Sequence, residues 1–271
     1  MSFVGLDVRV ITLKDAFDVT PLKTLLSGAD VRVQPAVDFR HVPPMALAKA
    51  EVVALSGFTT LRRGRKWHFE LNSTAGVGLA QSVRIALQQS DRPLLLLEDD
   101  FVITDQARWV RECKILLAHL DAFDLASFGS LFQGAKGNLS PAQFMGDDGW
   151  QFAKGAFFNT HCVMYSPRGR GTVRSRLRDH PLDMQIDSLF GSLAEMDALT
   201  VLLQVHGSSV AQKQHFSSIQ TDACIPCHLP ASLTWMTATR AVSLLIGACL
   251  VGLLFHTGKL GALLRAGRFR P

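Results

Sequence analysis

A run of four leucines that ends in three acids constrains this chain more than any other stretch of its sequence. The leucines are residues 94–97, and Glu98, Asp99 and Asp100 follow them directly. An unbroken apolar run of this length is typical of a strand that is buried on both faces of a parallel sheet. Ligands bind at the carboxyl edge of such sheets, where these acids would emerge. The stretch therefore predicts a ligand site at a sheet edge.

The same three acids predict a divalent cation. Neighbouring carboxylates repel one another, and a bound cation relieves that repulsion. Carboxylate oxygens are hard ligands, which suit Mg²⁺ or Mn²⁺. The alternative is an acidic turn in contact with solvent, because such turns are common in proteins. The triplet alone leaves both interpretations open.

The order of elements in residues 1–222 predicts an α/β fold. Strand patterns at 8–13 and 30–33 flank a helix pattern at 16–26, and this short-spaced order begins a parallel sheet. Further helices are predicted at 45–55, 75–89, from Asp105 onwards, at 167–178 and within the amphipathic segment 180–197. Further strands are predicted at 124–128, 156–165 and 199–205. Residues 133–149 are predicted to form a long surface loop and residues 210–222 a polar tail.

The C-terminal region changes character. Residues 241–258 carry no charge, and as a helix they would extend about 27 Å at ~1.5 Å per residue, close to the ~30 Å core of a bilayer. The alternative is a buried core helix. We predict a domain at 1–222, a linker at 223–240, a transmembrane helix at 241–258 and a basic tail at 259–271.

This anchor predicts a single-pass membrane protein in contact with lipid, located in the endoplasmic reticulum or Golgi if it is eukaryotic. The orientation is open. The basic tail favours a cytosolic C-terminus and a lumenal domain. The first fifteen residues, however, lack the positive start and unbroken apolar run of a secretory signal. Of the two orientations, we favour the lumenal domain.

The net charge of +5 comes from local clusters of arginine and lysine within residues 62–66, 168–178 and 259–270. Aromatic residues do not alternate with these clusters at a spacing typical of nucleic-acid binding. We therefore expect the partner to be the phosphate of a small ligand or of lipid, and not a nucleic acid.

The five cysteines are too few and too scattered for a disulfide scaffold. Cys224-Ile225-Pro226-Cys227-His228 matches the C-x-x-C-H pattern of haem attachment, which would make the chain a redox module. Its place before the membrane segment, without an evident axial partner, favours a flexible linker with a disulfide or a lipidated cysteine.

Several segments, taken in order, resemble one protein family. They are 34–38 (QPAVD), 74–82 (TAGVGLAQS), the acidic strand, 154–169, Pro181-Leu182-Asp183 and 212–220. Together they resemble the glycosyltransferases that include bacterial lipooligosaccharide galactosyltransferases and animal procollagen galactosyltransferases. In that family a Ser-His pair lies in the helix before the acidic strand. Here Val83 stands in place of the histidine.

The resemblance implies a GT-A-like (Rossmann-like) fold with a mixed, mostly parallel sheet flanked by helices. It also implies transfer of a hexose, galactose or glucose, from a UDP-sugar to a hydroxyl of a glycan or protein, with inversion by analogy. Mn²⁺ or Mg²⁺ would neutralise the leaving diphosphate. Asp100 would be the direct metal ligand, while Glu98 and Asp99 would hold the metal, its waters or the ribose hydroxyls.

The acceptor hydroxyl needs a general base. Asp183 and Asp187 are four residues apart and would share one face of a helix. Position in the amphipathic segment favours Asp187, whereas the Pro-Leu-Asp match favours Asp183. His215 follows the last strand, where transferases of this fold supply a further metal or phosphate contact. The basic run that contains Arg62 and Arg63 could clamp a diphosphate.

A hypothesis of a different class is a membrane-anchored binding or scaffold protein that keeps the transferase fold without catalysis. Val83, the single tyrosine Tyr165 and the shortness of the catalytic region favour it.

Overall fold

A computed structural model of the chain describes residues 2–54, 71, 74–129, 140–141, 152–155, 160–204 and 208–213. All of them belong to the first of two units, Met1–Thr221, into which the contacts divide the chain. Within these residues no helix has the length and apolar character needed to cross a bilayer. The predictions for Arg62, Arg63, His215, the C-x-x-C-H segment and the transmembrane helix at 241–258 lie outside the described residues.

The strands are β1 (Asp7–Thr12), β2 (Asp30–Pro35), β3 (Leu94–Glu98), β4 (Phe101–Ile103), β5 (Leu125–Ser127), β6 (Ser140–Pro141), β7 (Phe152–Lys154), β8 (Cys162–Tyr165), β9 (Val201–Gln204) and β10 (Val210–Gln212). The helices are α1 (Thr20–Leu25), α2 (Pro44–Lys49), α3 (Thr74–Gln88), α4 (Gln106–Ala118), α5 (Pro167–Asp179) and α6 (Ile186–Glu195), with a 3₁₀ turn at Leu120–Ala122.

The main sheet has eight strands in the order β2-β1-β3-β8-β5-β9-β7-β6. Only β7 and β8 run opposite to the other strands of this sheet. The prediction of a mixed α/β sheet flanked by helices is therefore confirmed. β4 and β10 form a separate antiparallel pair.

The leucine strand divides the hydrophobic core into two layers. Leu94 and Leu96 pack with residues of α3, α5 and α6 on one face of the sheet. Leu95 and Leu97 pack with α1 and α4 on the other. All four leucines are at most 1% exposed, as predicted for a strand between two helical layers.

The predicted helix over 180–197 is shorter in the structure, and this corrects the interpretation of its acids. Leu182 pairs with Val53 in a short parallel bridge, with backbone hydrogen bonds on both sides. Because this segment is extended, the helix begins only at Ile186. Asp183 therefore lies before the helix, and the prediction that Asp183 and Asp187 share one helical face is wrong.

The predicted polar tail at 210–222 is also wrong at its start. Val210–Gln212 forms a strand that pairs with Phe101–Ile103. Val210 is fully buried and packs in the same layer as Leu97. Burial of this valine and the pairing of the backbone groups favour a strand over a solvated tail.

The basic helix α5 finds its counter-ions within the chain. Its ion pairs are Arg168 with Asp124, Arg170 with Asp7, Arg174 with Asp91, Arg176 with Asp183 and Arg178 with Asp179. Each arginine of the cluster at 168–178 thus contacts an acid, which supports a structural role for this helix.

Arg170 is the buried member of this set. Its guanidinium donates to the carbonyl oxygens of Ala86, Leu87 and Arg92 at 2.8, 3.1 and 2.7 Å. It also lies 3.3 Å from the carboxylate of Asp7, which is completely buried. Arg170 therefore satisfies the C-terminal carbonyls of α3 and the buried charge at the start of β1 together.

We expect Arg170→Met to destabilise the fold by about 3–5 kcal/mol, because it leaves Asp7 buried beside fewer donors. Arg174→Met is the matched control, since its partner Asp91 is 84% exposed, and it should cost about 0–1 kcal/mol. Urea unfolding of both variants measures the difference. Equal losses would contradict the structural role of Arg170.

Candidate active site

The three acids lie where β3 ends and the chain turns into β4. Glu98 is the last residue of β3, while Asp99 and Asp100 form the turn. β3 runs parallel to β1, with Glu98 opposite Ile11, so Thr12 and the residues after it lie beside the acids. The site is therefore at the carboxyl edge of two adjacent parallel strands.

Glu98 points towards the layer that contains α6. It is two residues beyond Leu96, and alternate residues of a strand share a face. The Thr160 hydroxyl donates to its Oε1 at 2.6 Å, and its own N–H donates to the carbonyl of His161 at 3.0 Å. Burial, followed by the negative charges of Asp100, Asp187 and Asp99, raises the pKa of Glu98 to about 8, although the Thr160 hydrogen bond lowers it.

Asp99 forms a hydrogen bond and an ion pair with residues at and just after the end of β1. Its Oδ2 accepts a hydrogen bond from the Thr12 hydroxyl at 2.7 Å and lies 3.0 Å from Nζ of Lys14. The Lys14 side chain is 61% exposed. Asp99 therefore brings a cationic side chain to the edge of the site.

Asp100 has one carboxylate oxygen engaged and one without a partner. Oδ2 accepts from Nε2 of Gln212 at 2.7 Å, whereas Oδ1 is buried and finds no hydrogen-bond partner in the described part of the chain. Burial, together with the charge of Asp99, raises the pKa of Asp100, while the Gln212 hydrogen bond lowers it. A buried carboxylate oxygen without a donor is suited to a cation.

The structure separates the two candidate bases. Asp187 lies in the first turn of α6, where the helix dipole favours a negative charge, and its charge contributes to the raised pKa of Glu98. Asp183 lies 3.8 Å from Arg176 of α5. Asp187 thus lies within electrostatic reach of Glu98.

The candidate metal-binding side chains fit a cation that has few protein ligands. Among the described residues, no group of three His, Cys, Asp or Glu side chains is arranged to hold a metal ion. The open oxygen of Asp100 nevertheless offers one ligand. Mg²⁺ is commonly bound by one or two carboxylates together with phosphate oxygens and water. A cation that arrives with a diphosphate therefore fits these residues better than a cation held by protein alone.

Two of the motifs that carried the family resemblance pack against each other. A Cβ at Gly78 would lie 2.3 Å from the carbonyl oxygen of Val37, so only glycine allows this approach. The Ser82 hydroxyl accepts from the N–H of Val37 and donates to the carbonyl of Gly78, both at 2.8 Å. Val83 is 1% exposed and belongs to the core. Ser82 and Val83 therefore have structural roles here.

Sequence reasoning did not single out Thr12, Lys14, Thr160, His161 or Gln212. Thr12 and Lys14 could have been found, because they lie at and just after the end of the first predicted strand of the parallel sheet. His161 is buried, and neither ring nitrogen has a hydrogen-bond partner among the described residues. Burial lowers its pKa to about 4, so the ring is neutral at pH 7. No sequence pattern pointed to it.

Comparison of the chain with models of known protein families found no match. Comparison with curated proteins found no significant similarity either.

The raised pKa of Glu98 predicts a specific pH dependence of stability. The unfolded chain releases this proton near pH 4.5, whereas the folded chain keeps it to about pH 8, so the folded state binds more protons between these values. The stabilisation is complete below the unfolded pKa and is lost as pH rises through the folded pKa. Urea unfolding from pH 5 to 9, in a metal-free buffer, should show the wild type losing stability more steeply than Glu98→Gln. Parallel curves would contradict the assignment.

Proposed function

We propose that the chain is a metal-dependent glycosyltransferase that moves a hexose from a UDP-sugar to an acceptor hydroxyl. The observation that carries the proposal is the buried Oδ1 of Asp100 at the carboxyl end of β3, which has no hydrogen-bond partner among the described residues. Asp187 supports it, because its charge acts on Glu98, which lies two residues before Asp100. The anchor predicted at 241–258 would hold this activity at a membrane.

The residues at the end of β3 would bind the donor. Asp100 would hold Mn²⁺ or Mg²⁺, which supplies positive charge to the departing diphosphate. Lys14, 3.0 Å from Asp99, would add a second cationic group at the same edge. Asp99 would keep this lysine in place until the donor arrives.

In the reaction, the acceptor oxygen forms a bond to the anomeric carbon. The bond from that carbon to the diphosphate breaks, and its electron pair leaves with the diphosphate. The hydroxyl proton passes to the carboxylate of Asp187, acting as general base. A single displacement of this kind inverts the anomeric carbon. Asp183, beside Arg176, would take no part in proton transfer.

One observation favours the alternative of a binding or scaffold protein. Val83, which replaces the histidine of the resembled family, is buried in the core. If that histidine contributes to turnover, this chain would bind a nucleotide sugar without transferring it. Donor binding with no hydrolysis or transfer would distinguish this alternative.

We expect Asp100→Ala to remove Mn²⁺-dependent hydrolysis of UDP-hexoses, with a loss of at least about 100-fold in kcat/KM. A panel of UDP-sugars with Mn²⁺ measures activity and donor choice without a known acceptor. Asp91→Ala is the control, because Asp91 is an exposed acid bound to Arg174. An unchanged rate in Asp100→Ala would exclude the proposed metal ligand.

The two candidate bases can be compared directly. Asp187→Asn should lower the transfer rate by about 10²–10⁴-fold, the range typical of a lost general base. Asp183→Asn should retain most of the wild-type kcat. The assay is transfer to the acceptor, since hydrolysis can proceed with water. The reverse order of losses would assign the base to Asp183.

A further inference from the structure

The strand pair that follows the acids fixes the backbone of Asp100. β10 pairs antiparallel with β4, and Gln212 lies opposite Phe101. The next residue extends this pairing, because the N–H of Lys213 donates to the carbonyl of Asp100 at 2.7 Å. Asp100 is therefore held by β10 through its main chain as well as through its side chain.

The side-chain contact determines which oxygen of Asp100 is open. Nε2 of Gln212 donates to Oδ2 at 2.7 Å. A carboxylate that receives one such bond has a restricted rotation about its Cβ–Cγ bond. Oδ1 then keeps a fixed direction, and it is the oxygen that has no partner among the described residues.

β10 is in turn anchored by a buried acid that the proposed chemistry does not use. Glu112 of α4 is completely buried. It accepts from the Ser209 hydroxyl at 2.8 Å, from Nε of Arg108 at 2.8 Å and from Nε2 of Gln204. Ser209 directly precedes β10, so these bonds connect the strand to α4.

Ser209 also connects β10 to β4. The carbonyl of Ser209 accepts from the N–H of Thr104 at 2.9 Å, and its N–H donates to Oε1 of Gln204 at 3.2 Å. A buried charge is costly unless several donors satisfy it. Here those donors lie in α4, at the end of β9 and directly before β10, so that the strand carrying Gln212 has one defined position.

We propose that Gln212 is a positioning residue that orients the carboxylate of Asp100 so that Oδ1 meets the cation of the donor complex. This inference rests on the proposed function, because it assumes that Asp100 binds a cation. Groups that orient a metal ligand commonly change metal affinity by about 10–100-fold when they are removed.

The test uses the full chain with Mn²⁺ and UDP. Mn²⁺ is titrated at fixed UDP, and water-proton relaxation distinguishes protein-bound Mn²⁺ from the small Mn²⁺–UDP complex. We expect Gln212→Met, which keeps the length of the side chain and removes the donor, to weaken Mn²⁺ binding about tenfold. The midpoint of thermal unfolding without Mn²⁺ should fall no further than that of the matched control Gln34→Met, whereas a merely structural role would lower it further.

Gln34→Met is the matched control. Gln34 is a buried glutamine whose side chain bonds to Gln89 and to the carbonyl of Pro35. The Gln34→Met variant should therefore bind Mn²⁺ with the affinity of the wild type. Gln212→Ala serves if the methionine variant does not fold. Wild-type affinity in the Gln212 variant, or equal weakening in Gln34→Met, would overturn the positioning role while leaving the transferase proposal in place. Absence of protein-bound Mn²⁺ in the wild type would overturn both.

Discussion

The parallel pairing of β1 with β3 is the interaction on which the candidate site depends. It sets Glu98 opposite Ile11 and so brings Thr12 and Lys14 to Asp99. The register has little tolerance. A slip of one residue would turn the side chain of Glu98 from the α6 layer to the α4 layer, away from Asp187. The contacts of Thr12 and Lys14 with Asp99 oppose such a slip.

The buried acids at the two ends of this strand pair differ in their surroundings. At the amino end, Asp7 is enclosed by Arg170 and Arg92, so its charge is balanced within the chain. At the carboxyl end, burial and neighbouring acids raise the pKa values of Glu98 and Asp100. Acids whose pKa values are raised by burial and by neighbouring acids are more typical of functional sites than of structural ion pairs. This contrast is the reason why we assign the proposed chemistry to the carboxyl end.

Local signals in the sequence predicted much of the fold. Asp105 caps α4 through the N–H of Arg108, and Ser166 caps α5 through that of Gly169, and both helices begin where the sequence predicted. The acids were also predicted at the end of the leucine strand. The partners of those acids could not be predicted in the same way. Gln212 reaches Asp100 across more than a hundred residues, and the pairing of Leu182 with Val53 decides where Asp183 lies. Such contacts depend on tertiary pairing, which periodicity does not encode.

The contact between Gly78 and Val37 has a consequence for how this sequence can vary. The close packing of α3 against the segment after β2 depends on the absence of a Cβ at Gly78, because the carbonyl oxygen of Val37 occupies that position. Gly76, two residues earlier, has nothing within 4 Å of the equivalent position. A side chain at Gly76 would therefore meet no steric clash at its Cβ, whereas one at Gly78 would push the helix off its neighbour and break the paired bonds of Ser82.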